Sequence, residues 1–318
     1  MARRAETLMG ATHVEKRWRL VHSGHLQGAL NMAIDEAIMR VVAKGAAPPT
    51  LRFYGWDPPA ISVGYFQNVA REVDRAACES VGVDLVRRPT GGRAVLHDVE
   101  VTYSLVVPEE NPVIPAGITE SYRAISEGMV QGFVRLGLDA KMVSLRRQRA
   151  AGSGGAGDGA PLSSRYQVTI DAAEAKGHSA ACFDAPSWYE VTVDGKKIVG
   201  SAQVRRLGVL LQHGSIPLEL DVEKLFACLR FPDETSRSRA KELFRMKATS
   251  IRSALGRPIS FMEVADAVVW GLQAALGVEF VPGELTEEER ELAAKLAKEK
   301  YELLDWPDKL KAEEFQTA

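Results

Sequence analysis

Cys182 sits behind a run of small residues, Ser179, Ala180 and Ala181, that leaves room for a substrate to approach a thiol. A thiol at its ordinary pKa of about 8.5 is only slightly ionised at neutral pH, so a cysteine nucleophile needs a neighbouring cation. Lys197 could supply one, either by stabilising the thiolate or by donating to an oxyanion developing on a substrate carbonyl. Trp188 to Val193 has strand composition, Asp194-Gly195 is a two-residue hairpin signal, and Lys196 to Gln203 reads as the returning strand. Such a turn places Lys197 opposite Thr192. Ten extended residues would carry Cys182 about 33 Å from Thr192, so the segment Phe183 to Ser187 must fold back for thiol and ammonium to meet. On these residues alone two readings stand: a catalytic pair, or a small packing cysteine beside a solvated strand lysine.

A second constellation is Arg87-Arg88-Pro89-Thr90-Gly91-Gly92-Arg93, with His97 close behind. Gly91-Gly92 is a turn signal, and a glycine backbone ringed by donors can also wrap an acyl or phosphate group closely. Gly177-His178-Ser179-Ala180-Ala181 resembles a serine-hydrolase elbow without its final glycine. The flanks argue against it, since an elbow joins a buried strand to a helix and Asp171 to Lys176 is polar. His213 reads as a strand residue facing core or site, and the histidine spacing forms no metal motif.

The elements that must position these residues follow from periodicity. Apolar residues from Leu30 to Val41 recur at helical spacing and Gly45 is a stop signal; a plain core helix accounts for nearly all of the pattern, while Asn31 and Asp35, polar positions a turn apart, could reach a site and are not assigned to one. Thr50 to Tyr54 and Ala60 to Tyr65 read as strands, Glu72 to Ser80 as a helix burying Cys78, and Asp84 to Val107 as an antiparallel meander of three strands. A helix is expected over Thr119 to Leu136, a mobile low-complexity loop over 151–164 and a strand over Val209 to Ile216. Ser260 with Glu263, and Thr286 with Glu289, are capping boxes. The second opens a charged helix expected on the surface with a seam of Leu292, Leu296 and Ala297. The fold class is α+β.

Composition narrows the function classes. The 318 residues carry a net charge of -2 and 46% hydrophobic residues, enough for a large core and without the global basic field of a nucleic-acid binder. Three separated cysteines suggest neither a disulfide framework nor a zinc site. No run approaches the length of a membrane span, and Arg3 and Arg4 precede no apolar stretch. The expectation is a soluble, cytoplasmic protein.

Four segments, NMAIDEAIM (31–39), PTLRFYGWDPPAISVGYFQ (49–67), RRPTGGRAVLHDVEVTYS (87–104) and ACFDAPSWYEVTVDGKKIVGSAQVRR (181–206), resemble the biotin/lipoate protein ligase superfamily. Within it they are similar to the cysteine-dependent octanoyltransferases of lipoate assembly. The resemblance covers most of residues 17–217 and implies a mostly antiparallel sheet flanked by helices with an acyl tunnel beside the Gly-Gly loop. Weak periodicity marks a loose tail at 1–14, and the resemblance implies a ligase-like catalytic domain at 15–280 followed by a helical extension at 281–318. It implies transfer of an octanoyl group from acyl carrier protein to a lysine of a lipoyl domain such as the glycine-cleavage H protein. The path would run through a Cys182 thioester and need no metal or cofactor. The family's K-x-x-G-x-A pattern falls on Lys197, Gly200 and Ala202, and the implied substrate-binding residues are Arg88, Thr90, Gly91, Gly92, Arg93, His97, Gly200 and Ala202. ATP-using lipoate ligases usually have three glycines where this chain has Gly91-Gly92-Arg93, and they lack a cysteine at the position of Cys182. An ATP-dependent ligase, an amidotransferase between lipoyl domains and a non-catalytic acyl-binding module are the rivals. Arg146, Arg147, Arg149, Arg205 and Arg206 form a candidate basic patch for an acidic carrier protein.

Overall fold

The computed structural model describes residues 16–146, 167–171 and 189–304. Cys182, His178, Arg147, Arg149, the 1–14 tail and the 151–164 loop lie outside them. The chain begins with strand β1 (Arg17–Leu26), helix α1 (Gly28–Ala43), β2 (Thr50–Trp56), β3 (Ala60–Val63), α2 (Val69–Glu72) and α3 (Arg75–Ser80). It continues through β4 (Asp84–Arg87), β5 (Val95–His97), β6 (Glu100–Pro108), α4 (Ile118–Arg135), β7 (Ala140–Arg146), β8 (Gln167–Asp171), β9 (Tyr189–Val193) and β10 (Lys196–Lys197). After β11 (Gly200–Arg206) and β12 (Val209–Pro217) come α5 (Val222–Cys228), α6 (Glu234–Lys247), α7 (Ile251–Leu255), α8 (Phe261–Leu276), β13 (Glu279–Pro282) and α9 (Glu287–Leu296).

A mixed sheet in the order β11-β12-β6-β2-β1-β13 forms the centre. Alternation sorts its side chains into two faces. Val101, Tyr103, Leu105 and Val107 of β6 join Leu51 and Phe53 of β2 under α4 and α8, whose buried stripe includes Ile125, Phe133, Val264 and Leu272. The opposite face, carrying Tyr54, Trp56, Val106 and Leu211, packs on Met32, Ala33, Ala37 and Ile38 of α1. Both expected capping boxes are formed, and Gly277 ends α8 in the left-handed conformation. Cys78 and Cys228 are buried together in the smaller core around the β4-β3-β5 sheet.

Residues 84–107 do not form the expected meander. β3 lies between β4 and β5, parallel to the first and antiparallel to the second, while β6 belongs to the central sheet. Arg88 supplies the physical reason. Its guanidinium donates to the carbonyls of Ser62, Gly91 and Arg93 at 2.9, 2.8 and 2.7 Å, so the Gly-Gly segment spans the end of β3 as a broad loop instead of closing a tight turn.

The strand expected over Lys196 to Gln203 is also divided. Lys196 and Lys197 pair with β9, whereas β11 joins β12 in the central sheet. Ile198 and Val199, buried in the central core, carry the chain from one sheet to the other. The helix expected over Glu72 to Ser80 breaks at Val73, whose backbone bridges to Leu229 instead. The charged helix α9 is more than a surface element: Ala293, Leu296 and Ala297 pack against the α1 core, and Glu289 forms a buried ion pair with Arg19 at 2.5 Å.

Candidate active site

The face of the central sheet toward α1 gathers polar residues where the site forms. Arg52, Ser104, His213 and Ala202 are cross-strand partners in one row, and Tyr54, Thr102, Ser215 and Gly200 make the next. Each row ends on β11 in a residue with little or no side chain. The space left there is part of a narrow cleft lined by Met32, Trp56, Ser62, Arg88, Gly92, His97, Gly200, Ala202 and His213.

The Gly-Gly loop borders this cleft and is built to a fixed shape. Gly92 has φ +96°, a conformation that side-chain-bearing residues rarely adopt. Gly64 lies so close that a Cβ added to it would stand 2.1 Å from the Gly92 carbonyl oxygen. Tyr65 N donates to Thr90 O at 2.9 Å. Arg87 lies beneath, donating to the carbonyls of Gly64, Tyr65 and Gln67 and, through Nε, to that of Leu304. The amides of Gly91 and Gly92 donate to no group among the described residues.

His97 is buried and stacks on Trp56, with ring centroids 4.0 Å apart. Its Nδ1 is 2.7 Å from Glu100 Oε1 and its Nε2 is 2.7 Å from Ser62 Oγ, which also accepts from Arg88 Nη1 at 3.0 Å. Glu100 accepts further bonds from the hydroxyls of Thr102 and Ser215. Arg88 therefore lines the cleft while its guanidinium braces the loop. Thr90 is wholly buried, and its Oγ1 is 2.6 Å from His213 Nε2.

Lys197 stands opposite Thr192 across the hairpin, as the turn predicts, and Asp194 and Gly195 both have positive φ. It is buried and Lys196 is exposed. Lys197 Nζ donates to Glu190 Oε1 at 3.0 Å. Of the residues expected to bind substrate, Arg88, Gly92, His97, Gly200 and Ala202 line the cleft. Thr90, Gly91 and Arg93 belong to the same loop, where the Gly91 and Arg93 carbonyls hold Arg88.

Sequence reasoning missed the polar group under the loop. Asp35 Oδ1 accepts from Arg52 Nη1 and Ser104 Oγ, both at 2.8 Å, and Oδ2 accepts from Tyr54 OH at 2.9 Å and faces His213 Nδ1 at 3.2 Å. Burial opposes ionisation of Asp35, but the Arg52 charge and the bonds from His213 and Ser104 outweigh it and keep the carboxyl below its usual range. Burial pushes His213 the other way, below the ordinary histidine value, so the ring is neutral at physiological pH. The available signal was a polar residue at an inward position of an apolar element: Asp35 in NMAIDEAIM, Arg52 in TLRFYGW and Ser104 in VTYSLVV.

Residues 27–273 match the lipoyl protein ligase A/B catalytic domain. The chain is 52% identical over 282 residues to octanoyltransferase LipM of Kyrpidia tusciae, covering 88% of this chain and 94% of that protein. It is 42% identical over 292 residues to octanoyltransferase LipM of Bacillus subtilis, covering 92% and 98%. Among solved structures, a bi-partite lipoate protein ligase from Thermoplasma acidophilum superposes with a TM-score of 0.70 at 26% identity, covering 93% of this chain and 96% of that one. Lipoate-protein ligase A bound with ATP superposes with a TM-score of 0.67, also at 26% identity, over 92% and 98%. With its Gly-Gly loop, its cleft and this similarity along most of its length, the chain belongs to the lipoyl protein ligase A/B catalytic family and, within it, to the octanoyltransferases.

Proposed function

We propose that the octanoyl group comes from the thioester of an acyl carrier protein and goes to a lysine of a lipoyl domain, such as that of the glycine-cleavage H protein, in the cytoplasm. The transfer passes through Cys182. The Cys182 sulfur attacks the donor carbonyl carbon, the carrier's C–S bond breaks, and the carrier thiol leaves with a proton. The acceptor amine then attacks the enzyme thioester, the C–S bond to Cys182 breaks, and the sulfur recovers a proton as the amide forms. Lys197 favours the thiolate or the oxyanion. Gly91 and Gly92 receive the acyl carbonyl, and Arg88, Thr90, Arg93, His97, Gly200 and Ala202 shape its surroundings. The observation that carries this reading is the Gly-Gly loop. Its two amides have no partner among the described residues, and Gly92 lines a cleft floored by Gly200 and Ala202. Donors held in place without a partner suit a carbonyl that gains charge during acyl transfer.

The donor thioester already carries the activation, so no nucleotide is required. Enzyme mixed with octanoyl carrier, without ATP, should gain the mass of one octanoyl group on Cys182, and hydroxylamine should remove it. The similarity to a ligase bound with ATP motivates a second reading, activation of free octanoate. Octanoylation that occurs only with ATP, Mg²⁺ and free octanoate would establish that reading instead.

A further inference from the structure

The buried chain Asp35–His213–Thr90 has its proton positions set by chemistry. Asp35 is an ionised carboxylate, and Arg52, Ser104 and Tyr54 occupy it as donors. It can only accept from His213, so the ring proton lies on Nδ1. His213 is neutral, which leaves Nε2 as an acceptor, and the group 2.6 Å from it is the Thr90 hydroxyl. The Thr90 proton therefore points at His213. The Thr90 carbonyl is held as well, by the amide of Tyr65 at 2.9 Å. Thr90 is thus fixed at both its side chain and its carbonyl, immediately before the two glycine amides that border the cleft.

We propose that Asp35 and His213 are positioning residues for acyl transfer: through the Thr90 hydroxyl they hold the Gly91 and Gly92 amides where the acyl carbonyl develops negative charge. Glycine amides on a loop are otherwise the backbone groups with the most freedom, and donors stabilise a transition state in proportion to how well they are preorganised. Arg88 fixes the loop from the carbonyl side through Gly91 and Arg93, and His213 fixes it from the side-chain side through Thr90. Asp35 and His213 come from α1 and β12, far apart in sequence, and meet because His213 occupies the sheet row that α1 covers.

The inference rests on the octanoyltransferase reading with Cys182 as acyl carrier, and the test separates the two. Single-turnover acylation of Cys182 by octanoyl carrier protein is followed by intact mass for wild type, Thr90→Val, Thr90→Ser, His213→Gln and the double variant Thr90→Val/His213→Gln. Thr90→Val keeps the side-chain shape and removes the hydroxyl. It should lower the saturating acylation rate by about tenfold or more, as expected when reacting groups are slightly misplaced, and leave the half-saturating donor concentration unchanged. Thr90→Ser should restore most of the lost rate. His213→Gln, whose amide oxygen can still accept from Thr90 but which lacks the ring's rigid bridge to Asp35, should lose no more than Thr90→Val, and the double variant should be no slower than Thr90→Val alone, because both changes act on the same chain. Acylation by Thr90→Val within twofold of wild type would overturn the proposal. So would a multiplied defect in the double variant, or a rise in half-saturation with an unchanged rate. Wild-type protein that takes no octanoyl group on Cys182 would overturn the underlying reading instead. If His213→Gln does not fold, the Thr90→Val and Thr90→Ser comparison decides the matter.

Discussion

The Lys197 ammonium is tied to the Glu190 carboxylate at 3.0 Å, across the hairpin that turns at Asp194-Gly195. The lysine side chain is 6% exposed and the glutamate 18%, so the pair is largely shielded from water. This contact orients the lysine. Lys196, its neighbour on a two-residue strand, points to the other side and is exposed.

Lys197→Ala should therefore reduce acylation of Cys182 by roughly 100-fold, the scale of losing one strong donor, and Lys196→Ala should stay close to wild type. Glu190→Gln should fall between them, because the lysine keeps its charge and an acceptor but loses the charge-assisted contact that holds it. Single-turnover rates with octanoyl carrier check all three, and equal losses at Lys196 and Lys197 would contradict the assignment.

The two glycines of the loop should differ in stability cost. Gly92→Ala places a Cβ at φ +96° and 2.8 Å from Arg88 Nη2, which should cost about 1–2 kcal/mol. Gly91→Ala meets no atom within 4 Å and has an ordinary φ, so its change should be much smaller. Chemical denaturation of the two variants against wild type measures the difference.

Arg205 and Arg206 should not contribute equally to carrier recognition. Arg205 is engaged by Glu109 at 3.0 Å and by Ser121 Oγ at 3.0 Å, whereas Arg206 is exposed. Arg206→Glu should raise the half-saturating concentration of octanoyl carrier at low salt, and the difference should shrink as salt screens it. A salt titration of the acylation rate tests this.

Acid should loosen the C-terminal segment. Burial opposes ionisation of Glu36, but Lys300 at 2.5 Å, Tyr301 and Arg40 outweigh it and hold its carboxyl below the ordinary value near 4.5. A lowered acid pKa contributes stability that is present above the unfolded-state value and lost as pH falls through the folded one. Protection from hydrogen exchange over 287–304, taken relative to the intrinsic amide rate at each pH, should thus be high at neutral pH and fall below pH 4.5. Glu36→Gln should exchange quickly at both and lose about 3 kcal/mol at neutral pH. A Glu36→Gln protein with wild-type exchange would contradict this.

The elements with strong local signals were readable from the residues alone. Helical spacing in α1 and α4, the two capping boxes that open α8 and α9, the Asp194-Gly195 turn and the alternation of β12 all depend on residues a few positions apart, which sequence records directly. The placement of Lys197 opposite Thr192 followed from turn geometry for the same reason. The octanoyltransferase family was legible in the motifs around Gly91-Gly92 and Lys197, although local pattern could not supply the sheet order. Tertiary structure decided what distant residues do to one another. Arg88 opened the Gly-Gly segment into a broad loop, so β3 could enter between strands that looked like a hairpin. Buried Ile198 and Val199 moved β11 into another sheet, which brought Gly200 and Ala202 to the cleft. Asp35, Arg52, Ser104 and His213 each look like an isolated polar residue in an apolar element. They become one network because cross-strand register places Arg52, Ser104 and His213 in a single row beneath α1, and burying any one of them without the others would leave a polar group unsatisfied.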